Sequence, residues 1–283
     1  MAGTLYLVPT PIGNLGDISA RAAEILSAVD FIAAEDTRVT VKLLNHLNIK
    51  KPMTAYHRHN LDMAGPAILD RLLAGETCAL VTDAGTPGIS DPGEDLVALC
   101  AAAGVEVVAI PGPCALTVAL SVSGLPTGRF VFEGFLPMNK KNRRARLDAL
   151  EREERTMVFY EAPHKLRDTL DDLLKTFGPD RRIALCRELT KLHEEVIRTT
   201  LGEAAARYAE QEPRGEFVLV AAGRPPQAEA GAEDAALARA EELRRPGLPL
   251  KAASAQAAEE FGVKKRMLYN LALQSGEEET DNR

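Results

Sequence analysis

The chain has 283 residues, enough for two domains and an appendix, and its 46% hydrophobic and 27% charged content is that of a folded globular protein. A formal charge of −7 argues against a surface that coats nucleic acid as a whole. No apolar run approaches the roughly 20 residues that span a bilayer, and residues 1–11 lack the basic start and apolar middle of a signal peptide, so a cytoplasmic protein without membrane contact is expected. Cys78, Cys100, Cys114 and Cys186 are widely spaced and share no ligand spacing with the histidines, which predicts reduced thiols and no metal site.

In chain order, Leu5 to Val8 is a short apolar run stopped by Pro9, the pattern of a buried strand feeding a loop. Residues 19–29 carry apolar positions at helical spacing, with Asp17 or Ser19 available as cap. Strands are then predicted at 31–34, 78–81 and 105–110, and helices at 39–47, 64–74 and 94–103. Such alternation implies a mostly parallel sheet covered by helices.

A second α/β unit begins near residues 121–128, with strands predicted at 130–132, 156–160, 183–186 and 217–221 and a helix at 165–177. Residues 133–137 read as a turn. Gly223 to Pro226 and the alanine- and glutamate-rich stretch 227–234 read as a linker. Beyond it, a helix, a Gly-containing turn and a second helix over 250–270 have the outline of a helix-turn-helix, which is also that of a plain αα-hairpin. The expected fold class is α/β, two α/β domains (1–122 and 123–226) with a small C-terminal helical module (227–283).

Four predicted strands run into loops of Gly, Pro and small residues: Pro9 to Asn14, Val81 to Gly93 (VTDAGTPGISDPG), Pro111 to Ala115, and Tyr160 to His164. In open α/β sheets ligands bind outside the carboxyl ends of the strands, so these loops can converge on one pocket. Neither GxGxxG after the first strand nor GxxxxGK[ST] is present, and Asp83 and Asp91 would repel phosphates. A neutral or cationic small molecule fits this loop chemistry better.

The stretches LYLVPTPIGNLGDISARA (5–22), AAEDTR (33–38), HRHN (57–60), VTDAGTPGISDPG (81–93), IPGPCA (110–115), SGLPTGRFVFEGFLP (123–137), VFYEAPHKL (158–166) and CRELTKLHEE (186–195) resemble, in order, the ribosomal RNA small subunit methyltransferase I family of the tetrapyrrole methylase (class III methyltransferase) superfamily. The resemblance implies an S-adenosylmethionine-dependent 2′-O-methyltransferase of a 16S rRNA cytidine at the decoding site. It also implies a homodimer, two α/β domains with the donor in the cleft between them, and 16S rRNA within the 30S subunit as partner. Carried over residue by residue, the donor would be held by Pro11, Asp83, Gly85, Ile89, Ser90, Cys114, Ala115, Tyr160, Glu161 and Ala162, with Leu189 near the adenine.

Methylating a hydroxyl needs a group that helps remove its proton. Glu35, Asp36, His57, Asp83, Lys191 and Glu194 are candidates, and the sequence does not choose among them. Asp36 reads equally as a helix cap paired with Arg38. Lys140, Lys141, Arg143, Arg144 and Arg146 form a dense basic cluster, and Lys264, Lys265 and Arg266 a second, with Arg244, Arg245 and Lys251 upstream. Both suit rRNA phosphates, and both also read as solvated helix faces.

Overall fold

The computed structural model describes residues 2–225, 232–244 and 247–281, in two compact units, 1–223 and 224–283. The first unit contains two five-stranded sheets. Its opening part runs β1 (Thr4–Leu7), α1 (Ala20–Ala28), β2 (Phe31–Ala34), α2 (Thr37–His46), β3 (Met53–Ala55), α3 (Leu61–Leu73), β4 (Cys78–Val81), α4 (Glu94–Ala102), β5 (Glu106–Ala109) and α5 (Ala115–Val122). All five strands are parallel, in the order β3-β2-β4-β1-β5.

Strand geometry explains why β2 and β4 read as unbroken apolar runs. Successive side chains point to opposite faces, and both faces are covered. Phe31, Ala33, Cys78 and Leu80 pack with Ile68, Leu72, Leu96 and Cys100 of α3 and α4, whereas Ile32, Ala34, Ala79 and Val81 pack with Ala22, Leu26 and Leu44 of α1 and α2. Every residue of β2 and β4 is consequently buried.

The second part runs β6 (Phe130–Phe135), α6 (Lys140–Leu150), β7 (Thr156–Glu161), α7 (Leu166–Phe177), β8 (Arg182–Arg187), β9 (Glu195–Thr200), α8 (Leu201–Glu210) and β10 (Phe217–Ala221). Its sheet order is β6-β7-β10-β8-β9, parallel between β6 and β7 and antiparallel elsewhere. α6, α7 and α8 cover one face through Leu147, Leu170, Leu173 and Tyr208. On the other face Ala119 and Leu120 of α5 pack against Val158, Ala184, Val218 and Val220, so α5 shares its core with the second sheet.

Three readings of the sequence need correction. Residues 133–135 continue β6 rather than turning; a register shift between Phe132 and Gly134 marks a bulge there, and Gly134 has φ +60. β3, β9, α5 and α8 went unassigned. The linker ends earlier than expected, because Ala232 to Asp234 already belong to a helix; residues 226–231 of that linker lie outside the described residues.

The second unit holds α9 (Ala232–Arg244), α10 (Leu250–Glu260) and α11 (Lys265–Asp281). Its small core of Ala236, Ala240, Ala257, Ala258, Val263 and Leu268 is mostly alanine, which lets the helices approach closely. Gly262, at φ +66, makes the turn between α10 and α11.

Candidate functional site

The loops after the first sheet's strands are tied to one another. Thr10 and Gly85 exchange backbone hydrogen bonds of 2.9 and 3.0 Å, and the Thr10 hydroxyl donates to the Thr82 carbonyl at 3.0 Å. The Thr86 hydroxyl donates to the Pro113 carbonyl at 2.9 Å. Gly112 lies so close to Pro9 that a Cβ there would meet the proline ring at 2.8 Å. From the second sheet, the Tyr160 hydroxyl oxygen accepts the Leu116 N–H at 3.0 Å. Gly13 abuts Lys191, where a Cβ would stand 2.4 Å from its Cγ.

Between these loops lies a cavity of about 450 Å³, within the range of small-molecule sites. Asp83, Gly85, Ile89, Ser90, Cys114, Ala115, Tyr160, Glu161, Ala162 and Leu189 all line it. Pro11 does not; its neighbour Ile12 does. Phe135, Glu216, Phe217 and Val218 also line it, which the sequence reading did not single out, and so does Asp91, which was read only as repelling phosphates and not as a site residue. Asp91 stood in the quoted loop, whereas Phe217 and Val218 are ordinary strand residues with no signal to find them by.

Backbone strain gathers around this cavity. Of the four non-glycine residues with positive φ among the described residues, Ser90, Glu188 and Thr190 belong to its loops. A non-glycine side chain in that region costs of order 1–3 kcal/mol and persists only where the surroundings enforce it.

The candidate bases separate by position. Glu35 and Asp83 line the cavity; Asp36, His57, Lys191 and Glu194 do not. Burial raises the Glu35 and Asp83 carboxyls above the ordinary range, and each is pulled back by a backbone N–H that it accepts. Asp36 is the N-cap of α2: its side chain accepts the Arg38 N–H at 2.8 Å and pairs with the Arg38 guanidinium at 2.6 Å. The Arg38 side chain is the main reason its carboxyl falls to about 2, too weak a base to favour proton removal. Burial alone would lower Lys191, but hydrogen bonds to Glu188 at 2.7 Å and Glu216 at 2.9 Å outweigh it and keep the ammonium protonated. The Glu194 carboxylate accepts the Thr190 N–H at 2.6 Å. His57 sits at the start of the turn that Asn60 closes, with its Nδ1 buried and unpartnered among the described residues.

The basic cluster divides in the same way. Arg143, with its side chain only 14% exposed, donates to Asp172 and to the Thr169 hydroxyl, both at 2.7 Å. Thr169 in turn donates to the buried Glu161 carboxylate, whose other oxygen accepts the Ala162 N–H at 2.8 Å. Arg143 therefore stands behind the cavity floor. Arg146 pairs with Glu133 at 2.5 Å, and Arg144, 62% exposed, pairs with Asp148 at the surface. Lys140 and Lys141 are exposed. In the second unit, Lys265 and Arg266 line a surface cavity with Lys251, Ala255 and Tyr269, and Lys264 is exposed beside them. Arg245 lies outside the described residues.

The tetrapyrrole (corrin/porphyrin) methylase family model matches residues 4–205, and that of the RsmI C-terminal HTH domain matches residues 229–276. A ribosomal RNA small subunit methyltransferase I from Synechocystis sp. is 50% identical over 96% of this chain and 98% of its own. The protein of that name from Escherichia coli O157:H7 is likewise 50% identical, over 96% of this chain and 95% of its own. The chain belongs to this family of tetrapyrrole methylases. It is an S-adenosylmethionine-dependent methyltransferase. Among solved structures, cobalt precorrin-4 methyltransferase CbiF is 16% identical with a TM-score of 0.57, over 77% of this chain and 94% of that one. Uroporphyrin-III C-methyl transferase from Thermus thermophilus, in complex with S-adenyl homocysteine, is 18% identical with a TM-score of 0.55, over 78% and 97%. At such identities the likeness is one of fold.

The cavity fits a donor of this kind. Ile12, Ile89, Leu189, Phe217 and Val218 give it apolar walls, and Glu35, Asp83 and Asp91 concentrate negative charge where a cationic group is held favourably. Among the described residues, no lysine or arginine lines it, unlike a site built for a pyrophosphate.

Proposed function

We propose that this chain methylates the ribose 2′-oxygen of a cytidine in 16S rRNA at the decoding site of the small ribosomal subunit. The observation that carries this reading is identity of about half over nearly the whole chain with relatives named ribosomal RNA small subunit methyltransferase I, the C-terminal module included. Residues Asp83, Gly85, Ile89, Ser90, Cys114, Ala115, Tyr160, Ala162 and Leu189 would hold the donor, with Glu161 fixing the strand end behind it. When bound, the donor supplies a methyl group on a positively charged sulfur.

The chain's own residues do the rest. The loops around Gly85 and Ala115 would fix the donor, and alignment of its methyl group with the acceptor oxygen contributes several kcal/mol to the barrier reduction. Lys140, Lys141 and Arg144 on α6, and Lys264, Lys265 and Arg266 at the start of α11, would meet rRNA phosphates. Tyr269 beside the second group offers a ring on which a base can stack. The reading includes a cytoplasmic homodimer; Met63 at 80% exposure and Leu192 at 92% are apolar side chains that a partner copy would cover.

Incubation with radiolabelled donor, offering 30S subunits, naked 16S rRNA and a tetrapyrrole precursor in parallel, tests the substrate class. Label is expected in the 30S-borne rRNA, and incorporation only into the tetrapyrrole would sink the reading.

A further inference from the structure

Five carboxyl groups line the cavity: Glu35, Asp83, Asp91, Glu161 and Glu216. Four are engaged by the protein. Glu35 accepts the Asp83 N–H at 3.3 Å, and Asp83 accepts the Asp36 N–H at 3.1 Å. Glu161 is held by Thr169 and the Ala162 N–H, and Glu216 pairs with Lys191. Among the described residues, the Asp91 carboxylate makes no hydrogen bond and no ion pair.

Its position is nevertheless fixed. Ser90, directly before it, holds φ +65, a left-handed conformation that serine adopts only under constraint. The constraint is visible: Arg58 donates to the Ser90 carbonyl at 2.6 Å, and the Ser90 hydroxyl occupies space that only a glycine at 134 leaves open, since a Cβ there would stand 2.9 Å from it. Pro92 follows, locking the next φ. Gly93, at φ +147, then closes against the Gly88 nitrogen, which an added Cβ would meet at 2.9 Å. The loop thus holds a free carboxylate into the cavity from a rigid, strained backbone.

We propose that Asp91 is the catalytic base, taking the proton of the ribose 2′-hydroxyl as that oxygen attacks the donor methyl. The inference rests on the reading of the acceptor given above. In the step, the O–H bond breaks with its proton passing to an Asp91 oxygen, and a new carbon–oxygen bond forms. The methyl–sulfur bond breaks with its electron pair left on sulfur, so the cationic sulfonium becomes a neutral thioether and charge balances. Asp91 later returns its proton to water.

The charges facing Asp91 suit the task. Burial, followed by repulsion from Glu35 and more weakly from Asp83, pushes its carboxyl up to about 6, against the pull of Arg58; the Tyr160 hydroxyl is the other titratable group facing it. Such a group is ionised at neutral pH and yet a stronger base than an ordinary carboxylate, which is where general bases are most effective. Glu35 and Asp83, each already accepting an N–H, raise the basicity of their free neighbour.

The test uses the full chain with 30S subunits, comparing wild type, Asp91→Asn and Asp91→Glu. Asp91→Asn should lower kcat by about 10²- to 10⁴-fold, weaken donor binding far less, by no more than about tenfold for the loss of one of several lining carboxylates, and abolish the acid limb near pH 6 in whatever activity remains. Asp91→Glu should recover part of kcat. In protein labelled with ¹³C at the aspartate carboxyls, one resonance should titrate near pH 6 and vanish in Asp91→Asn. A kcat for Asp91→Asn within about tenfold of wild type, or an acid limb that persists in it, would overturn the assignment while leaving the ribose reading intact. Label on a base in the wild-type reaction would instead overturn the acceptor reading, and this proposal with it.

Discussion

An ionised Asp91 works against the fold, and that gives its role a thermodynamic signature. Its carboxyl lies at about 6 in the native chain against an ordinary 3.8, so between those values the native state holds more protons than the unfolded one. Stability from this group is therefore fully present below pH 3.8 and is lost as pH rises through 6. Asp91→Asn should be more stable than wild type at pH 8 by about 1–2 kcal/mol, after discounting for solvent screening, with the gain gone at pH 4, as paired thermal melts would read. Asp36 makes the opposite case. Replacing it with alanine removes the α2 cap and should lower the thermal midpoint while leaving kcat within about threefold of wild type; a kcat collapse would restore Asp36 as a candidate base. Arg143→Ala, which unties Asp172 and Thr169 behind Glu161, should destabilise by about 2–3 kcal/mol and weaken donor binding. An RNA-binding defect with donor affinity unchanged would contradict that placement.

At the scale of elements, the strands that alternate between two covered faces were legible because both faces demand apolar residues. Phe31 to Ala34 and Cys78 to Val81 could be read almost to the residue. β9, Glu195-Val-Ile-Arg-Thr-Thr, lies at the sheet edge with none of its residues buried, and its mixed sequence reflects that half-solvated position. β3 is a three-residue edge strand, too short for any periodicity. The cavity loops were legible as loops through Gly and Pro, but which carboxylates they leave unpaired depends on hydrogen bonds to distant residues, such as the Asp36 N–H to Asp83, and no sequence spacing reveals those. The helix α6 was legible as a charge cluster and not as a division of labour. Its exposed cations predict that the Lys140→Ala, Lys141→Ala, Arg144→Ala variant loses rRNA affinity and flattens the salt dependence by a slope of about 2–3, with donor affinity unchanged. An unaltered salt slope would return α6 to a solvated face.

At the scale of the molecule, the chain forms two units, and the helical one has a core of its own. Residues 1–223 contain every described residue lining the cavity proposed to hold the donor, whereas the helical unit has an alanine-rich core and a basic, tyrosine-bearing cavity. A chain ending at Gly223 should bind S-adenosylmethionine within about threefold of the full protein while methylating 30S subunits with a KM raised roughly tenfold or more, the loss expected from removing a few phosphate contacts. Kinetics unchanged by the truncation would leave the second unit without a part in substrate binding. The atom that receives the methyl group can be read directly by one measurement. 30S subunits treated with the wild-type enzyme and isotopically labelled S-adenosylmethionine are digested to nucleosides and resolved by mass spectrometry, with the site mapped along 16S rRNA. The label should appear as 2′-O-methylcytidine at a single decoding-site position. Label on a cytosine ring, on another nucleotide, or on none would contradict it.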